Sequence, residues 1–598
     1  MEYFLFGVGF SAIGGSENAA SLHLWSVQLV RYHGTDTKLI PKLFLLIVIC
    51  LRLSAQERWQ ARSMVISTRG IAATSQTLAS QAGAQILGRG GSAVDAAIAA
   101  NAVLSVVEPM MCGIGGDLFA IHFEAKTGTL SGINGSGWAG KGQTLAAYKA
   151  KGLYGIPSTG IHTATVPGAV DGWWQMHKKF GKLPWAELFQ PAIYYARNGF
   201  PVTEIIQEDW AGTTSKLRSD ENARKFWLVD GRAPRVGELF KIPALGNALE
   251  LIAKGGRDAY YKGPISQSIL KTSKRLGGTL EAADFAEFTS EWIDPISVDY
   301  RGWTVYEMPP NGQGIAALMM LNLMEKFGLP KMEQRSAEAM HIKIEAQKLA
   351  YQDLYKFVAD PRQAKVPVAG MLSKEYAAER AKGISEDRAT CDTQAGEPEK
   401  GHTIYLSVVD KDGNTVSWIQ SISDLWGSGV AVDDYAFLLH DRGGNFSSDP
   451  AHPNVLAARK RPFNTIIPGF MTKGDVKIAF GIMRGGNQAQ AHAQFVSNVV
   501  DHNMNIQAAL EAPRFTRQRV EGCGVMMEGR LDSAAMEKLK SLGHFVDRRA
   551  EYSAQMGGGQ AVMLDGSARM HYGASSPRKD GAAIPEADPY FMNSGKKP

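Results

Sequence analysis

Thr403-Ile404-Tyr405-Leu406-Ser407-Val408-Val409, then Asp410-Lys411-Asp412-Gly413-Asn414, then Thr415-Val416-Ser417-Trp418-Ile419-Gln420-Ser421 is the stretch on which the fold turns. Two runs rich in β-branched and aromatic residues flank a cluster of turn formers, which predicts a β-hairpin in a buried sheet. The segment just before it, Ser385 to His402, is rich in Glu, Asp, Lys, Gly and Thr and has no apolar periodicity. It predicts an exposed, mobile connection in which a backbone cut would be easily accommodated. Further on, the strand-like run Val476-Lys477-Ile478-Ala479-Phe480-Gly481 leads into Met483-Arg484-Gly485-Gly486-Asn487, and a helix is expected from about Ala489. Gly485 and Gly486 therefore fall at a strand-to-helix elbow.

Upstream, helical and strand-like patterns alternate from Thr74 without internal repeats, which favours a layered α/β architecture in one domain. Ser92 can cap a helix running from Ala93 to Val107, with Pro109 as its stop, and a helix so apolar must be buried. Cys112-Gly113-Ile114-Gly115-Gly116-Asp117 and the strand Leu118 to Phe123 follow. This Gly-rich turn has neither the Lys-Ser/Thr ending of a P-loop nor the strand-first order of a dinucleotide fold, so a tight structural turn is the better reading. From Gly172 to about Ile384 the pattern is mainly helical. Ala337 to Val358 reads as a long amphipathic helix closed by Asp360-Pro361, its charges forming a solvated face.

The net charge of +5 is small for 598 residues, and Lys and Arg are spread along the chain, which argues against nucleic acid as a partner. Cys50, Cys112, Cys391 and Cys523 are too far apart for CxxC ligation and too few for a disulfide scaffold. They read as buried thiols and leave the compartment open. No HExxH or paired-His spacing occurs, so neither a metal nor another cofactor is expected. Residues 1–63 read as an N-terminal extension. Within it, 38–56 has the charged, apolar and small-residue parts of a secretory signal, with an apolar run too short to span a bilayer comfortably. A signal there would place the protein in the periplasm or outside the cell. The alternative is a start codon assigned too far upstream, a protein beginning near Met64, and a cytoplasmic location. Membrane association stays open.

A Thr that begins a buried strand after a loose segment has what an N-terminal nucleophile requires. Cleavage before it frees an α-amine with a reference pKa near 8, able to take the hydroxyl proton at neutral pH. Local pattern alone favours reading Thr403 as an ordinary β-branched strand residue. Ordered matches across the chain weigh in favour of the nucleophile. They are Gly90-Gly91-Ser92-Ala93-Val94-Asp95-Ala96-Ala97, Val107-Glu108-Pro109, Gly113-Ile114-Gly115-Gly116, Thr165-Val166-Pro167-Gly168, Tyr300-Arg301-Gly302 and Met308-Pro309-Pro310. After the hairpin come Gly427-Ser428-Gly429, Lys460-Arg461-Pro462, Gly485-Gly486, Ala512-Pro513-Arg514-Phe515 and Tyr572-Gly573-Ala574-Ser575. With these, the chain resembles the gamma-glutamyltransferase family from about Ile71 to Asp588.

The resemblance implies a four-layer αββα sandwich of the N-terminal-nucleophile hydrolase type. It implies a proenzyme that cuts itself between His402 and Thr403 into a large subunit (64–402) and a small one (403–598), intertwined in one domain. It makes Thr403 the nucleophile, Gly485 and Gly486 the oxyanion donors, and Ser421 the hydroxyl that hydrogen-bonds the nucleophile. The pocket departs from the family. Ser136 stands where an Arg would grip an α-carboxylate, and Asn445 where an Asp would receive an α-ammonium. Asn464 and Thr465 replace a Ser pair, Ser423 replaces an Asn, and Arg442 is a new cation. Between Phe446 and Lys460 the chain is short where many relatives carry a lid, so an open cleft is expected.

The activity expected is amide cleavage through an acyl-Thr, on a small-molecule amide or peptide, with hydrolysis or transfer of the γ-glutamyl group of glutathione-like substrates. The alternative is an amidohydrolase for carboxylate-bearing amides without an α-amine, of the glutaryl or oxamate type, with Arg442 either the carboxylate partner or a solvent-facing Arg. A non-catalytic secreted scaffold is the alternative of another class.

Overall fold

The computed structural model describes residues 60–392, 402–517 and 522–589, together with the backbone of two short strands, Tyr3–Gly7 and Gln28–Tyr32. Those two strands pair antiparallel within a unit of their own that ends at Trp59. The signal-like segment 38–56, with Cys50, lies outside the described residues, as do 393–401 of the segment before Thr403. Among the described residues no helix is long and apolar enough to cross a membrane.

The unit from Gln60 onward is built on two seven-stranded sheets. Their strands, in chain order, are β1 Val65–Ser67, β2 Ile71–Thr74, β3 Asp117–Glu124, β4 Thr129–Gly135, β5 Glu291–Ile293, β6 Ile296–Tyr300 and β7 Trp303–Glu307. Then come β8 His402–Val409, β9 Thr415–Ser423, β10 Gly469–Lys473, β11 Val476–Ile482, β12 Gly559–Asp565, β13 Met570–Ser575 and β14 Ala582–Pro585. One sheet has the order β6-β7-β10-β11-β12-β13-β1 and the other β14-β2-β8-β9-β3-β4-β5. Each sheet takes strands from both sides of the His402–Thr403 bond. The region from Gly172 to Ile384 is not helical throughout, since β5, β6 and β7 lie within it.

The alternation of side chains along β8 explains the layers. Ile404, Leu406 and Val408 face a core shared with helices, while Tyr405 and Val409 pack between the two sheets against Phe470, Ala479 and Val562. Five helices matter here: α1 Thr77–Gly88, α2 Ala93–Val107, α3 Gly314–Met324, α4 Ala337–Phe357 and α5 Asn487–Val500. α1 and α2 cover the sheet that holds the hairpin; α3, α4 and α5 cover the other against Ile478, Phe480 and Ile482. The result is αββα. Every residue of α2 is buried, and Ser92 and Asp95 close its N-terminus as a reciprocal capping box.

Two readings from sequence are corrected. The charges of α4 are not a solvated face: Lys343, Glu345 and Lys348 are buried, because a further layer from the C-terminal part of the chain lies over that side of the helix. Lys348 accordingly pairs with Glu345 at 2.6 Å, as a buried charge must. Nor are all the cysteines thiols. Cys391 and Cys523 form a disulfide across 132 residues of sequence, a pairing that no local spacing reveals. Cys112 is a buried free thiol.

Candidate active site

The hairpin expected from the sequence is present, β8 pairing with β9 from Val409↔Thr415 to Ile404↔Gln420. Beyond this point the register shifts, and His402 pairs with Ser423. A β-bulge therefore sits at the His402–Thr403 bond, with an extra residue on β9 opposite Thr403. Ser423, at the end of β9, has φ +78, outside the usual range for a residue with a side chain.

This irregularity brings three oxygen atoms into line. The Thr403 hydroxyl donates to Ser421 Oγ at 3.3 Å, and the Ser421 hydroxyl donates to the carbonyl oxygen of His402 at 2.6 Å. The Ser423 amide fixes Ser421 Oγ from a third side at 2.7 Å. Ser421 thus donates to the carbonyl that precedes Thr403 and accepts from the Thr403 hydroxyl. Gln488 Nε2, on α5, reaches Thr403 Oγ1 at 3.4 Å while its Oε1 accepts from the Ile467 amide. Gly116 is required at this point by contact: a Cβ there would lie 2.3 Å from the Ser421 carbonyl oxygen. The Gly-rich turn is a close backbone approach that holds β9.

Gly485 and Gly486 lie at the elbow where β11 ends and α5 begins, two residues before the expected helix start. Gln313 Nε2 takes the carbonyl of Gly485 at 2.8 Å and the Tyr351 hydroxyl takes that of Gly486 at 2.5 Å. Among the described residues neither amide donates to a protein acceptor. Two free N–H groups at a helix N-terminus suit a developing oxyanion.

Around Thr403 the chain leaves a narrow pocket lined by His402, Asp209, Met483, Arg484, Gly557, Gly558 and Lys579, among others. Lys579 Nζ is held by Asp209 at 2.9 Å and Glu108 at 3.2 Å. Burial works against its charge, but the two carboxylates outweigh it and hold the ammonium above its ordinary pKa. The His402 imidazole is held well below its ordinary pKa, by burial first and then by Arg484, Lys579 and Lys216. It is neutral at pH 7.

The residues expected to bind substrate form a second, separate group. Ser136 Oγ accepts from Asn464 Nδ2 and Asn311 Nδ2, both at 3.1 Å, and Asn464 also donates to Asp117. Arg442 is buried, its Nη1 donating to Thr465 Oγ1 at 2.8 Å and its Nε 3.7 Å from Asp117. The solvent-facing alternative for Arg442 does not hold. Asn445 Nδ2 is spent on the Phe463 carbonyl at 3.0 Å. In the short stretch after it, Phe446 and Leu456 pack on Ala139 and Tyr148. Gln313 links the two groups, donating to the carbonyls of both Thr465 and Gly485. None of Ser136, Arg442, Asn445, Asn464 or Thr465 lines the pocket at Thr403.

Sequence reading missed Gln488, Arg484, Lys579 and Gln313; Arg484 and Gln488 flank the Gly485-Gly486 elbow, which was the signal that could have found them, and Lys579 and Gln313 carry none. It also missed a cluster on α4, where His341 and Glu345 meet His544, with ligand atoms within 4.8 Å of one another. His341 Nδ1 and His544 Nε2 hydrogen-bond each other at 2.7 Å, and burial and then Lys348 pull His544 down to about 3. With Lys348 neutralising Glu345 and Arg517 nearby, a further cation is opposed there.

Loss of the Ser421 hydroxyl removes the donor to the His402 carbonyl. A Ser421→Ala protein is expected to cut itself on the order of a hundredfold more slowly, the loss typical of one oxyanion donor, in a time course read by mass spectrometry. An unchanged rate would remove Ser421 from the processing step.

Comparison with known proteins identifies this architecture. The family model described as Gamma-glutamyltranspeptidase matches residues 79–586. The chain is similar to the Glutathione hydrolase-like YwrD proenzyme of Bacillus subtilis (strain 168), 38% identical, with 87% of this chain and 99% of that protein covered. It is similar to the Oxamate amidohydrolase proenzyme of Klebsiella pneumoniae, 33% identical, with 87% and 98% covered. Among solved structures it is similar to the cephalosporin acylase from Bacillus halodurans, 38% identical with a TM-score of 0.82, covering 89% of this chain and 98% of that one. With this αββα sandwich, the chain belongs to the gamma-glutamyltranspeptidase family of self-cleaving N-terminal-nucleophile amidohydrolases and acyltransferases.

Proposed function

We propose that the chain matures by attack of Thr403 Oγ on the His402 carbonyl and then works as a threonine amidohydrolase on amides whose acyl group carries a carboxylate. The observation that carries this is the hydroxyl relay from Thr403 through Ser421 to the His402 carbonyl oxygen. In maturation the Thr403 oxygen bonds to the carbonyl carbon and the C–N bond breaks, leaving His402 as an ester on Thr403 and a free Thr403 amine. Water opens the ester, and the large and small subunits result. In turnover the amine takes the hydroxyl proton, Thr403 Oγ attacks the substrate amide, and the tetrahedral oxyanion is held by the Gly485 and Gly486 amides. The amine leaves with a proton, and water or another amine takes the acyl group from Thr403.

Glutathione-like γ-glutamyl donors are one reading, supported by the two glutathione hydrolase proenzymes of Escherichia coli and Bacillus subtilis to which the chain is also similar. A second reading, simple dicarboxylic acyl groups without an α-amine, is supported by the lack of a charged anchor at Ser136 and Asn445. Each lost charged hydrogen bond is worth about 1.5 to 3 kcal/mol, or roughly ten- to more than a hundredfold in binding. The test is an anilide panel on the cut protein, comparing γ-glutamyl with glutaryl. A strong γ-glutamyl preference would show that other residues rebuild the amino-acid grip, and no acylation of Thr403 by either would sink the proposal. The Cys391–Cys523 disulfide supports an oxidising compartment, and with it the signal reading of 38–56.

A further inference from the structure

Maturation itself shows where an acyl group must lie. His402 is the first acyl group that Thr403 carries, and once the ester is opened and this end of the chain leaves, a substrate acyl group takes its place. What surrounds His402 before the cut therefore surrounds the substrate afterwards. Three cations act on its imidazole, Arg484, Lys579 and Lys216, and the first two line the pocket with it. Two of them are already matched by carboxylates, Lys579 by Asp209 and Glu108, and Lys216 by Asp441 at 3.3 Å.

Arg484 differs. Among the described residues no carboxylate lies within ion-pair distance of its guanidinium, and its one side-chain hydrogen bond goes from Nη2 to the neutral Gln555 Oε1 at 2.8 Å. Asp209 and Asp424 act on it only at longer range. Its backbone is also unusual, with φ +96 in the region that favours glycine, beside Gly485 at φ +43. A side chain kept in such a conformation next to a nucleophile suggests a use for that side chain. It lines the same pocket as Thr403 and His402.

We propose that Arg484 is the residue that selects the acyl donor, binding the distal carboxylate of a dicarboxylic acid monoamide in the space His402 leaves, and disfavouring a donor with an α-ammonium there. This rests on the acyl-Thr403 reading above. The planar guanidinium presents two parallel donors to a carboxylate, which Arg442 cannot do from its contacts with Asp117 and Thr465.

The experiment compares hydrolysis of glutaryl-anilide with that of butyryl-anilide, which has nearly the same chain without the carboxylate, by wild type, Arg484→Gly and Arg484→Lys. Each protein is first checked for a Thr403 N-terminus. Arg484→Gly suits the positive φ, so it removes the cation without adding backbone strain. The wild type is expected to prefer glutaryl, and Arg484→Gly to lower the glutaryl-to-butyryl ratio of kcat/KM by about ten- to a hundredfold, chiefly through KM. Arg484→Lys is expected to fall between the two. An unchanged ratio in Arg484→Gly overturns the proposal, as does a variant that no longer cuts itself, which would place Arg484 in processing. A cut wild type that is not acylated at Thr403 by either anilide would instead defeat the acyl-Thr403 reading.

Discussion

A Thr403→Ala protein is expected to remain one uncut chain and to lose amide hydrolysis down to background. The physical reason is that one oxygen serves twice. In the proposed mechanism it forms the ester that breaks the His402–Thr403 bond, and in the mature enzyme it forms the ester with substrate. Alanine has no oxygen to offer to either step, and without the cut the α-amine that acts as base never appears. The loss is therefore larger than for any supporting residue. The fold is expected to survive, because Thr403 contributes one long hydrogen bond to Ser421 and accepts another from Gln488, and the rest of β8 is held by its neighbours on both sides. N-terminal sequencing and a reducing gel check the first half, and an anilide assay the second. A Thr403→Ala protein that still split at this bond would assign the cut to another nucleophile.

The next largest effect is expected at the elbow before α5. Gly486 has φ −63, a conformation any residue can adopt, so Gly486→Val tests space and not backbone strain. Gly485, at φ +43, would confuse the two. If the Gly485 and Gly486 amides hold the oxyanion as proposed, a branched side chain at Gly486 should obstruct an approach to about 3 Å, and turnover should fall on the order of 100- to 1000-fold. The relevant measurement is kcat on protein shown to be cut and folded. Unchanged turnover in such a protein would place the oxyanion site away from this loop.

Much of the scaffold could be read locally. The hairpin, the buried helix Ala93–Val107 with its Ser92 cap and the strand-to-helix elbow are each written in contiguous residues, because periodicity and capping are short-range physics. What escaped was decided by a second layer. Lys343, Glu345 and Lys348 recur like a solvated face and are buried only because later chain packs over them. β5 to β7 lie within a mostly helical stretch and belong to sheets completed elsewhere. In the site, Thr403 and Ser421 came from neighbouring strands of one hairpin, and their hydrogen bond is the kind of contact a hairpin makes. Lys579 reaches the same place from a remote segment, and nothing around it in sequence says so, whereas Arg484 and Gln488 flank the Gly485-Gly486 elbow and their own side-chain roles were not legible there. Ser136, Asn464, Thr465 and Arg442 do come together, as the resemblance implied, but as a tightly bonded buried group.

The disulfide changes what the cut releases. Cys391 precedes the His402–Thr403 bond and Cys523 follows it, so a cut at that bond would leave the two pieces joined covalently by the disulfide. The tail that such a cut would make, residues 392–402, would be leashed by chain length: eleven residues span at most about 40 Å from Cys391. On the proposed mechanism its new C-terminal carboxylate would stay at high effective concentration near the pocket and would compete with an anionic donor. The mature protein is expected to migrate as one species on a denaturing gel without reductant and as two with it. Two species under both conditions would show the subunits joined by packing alone.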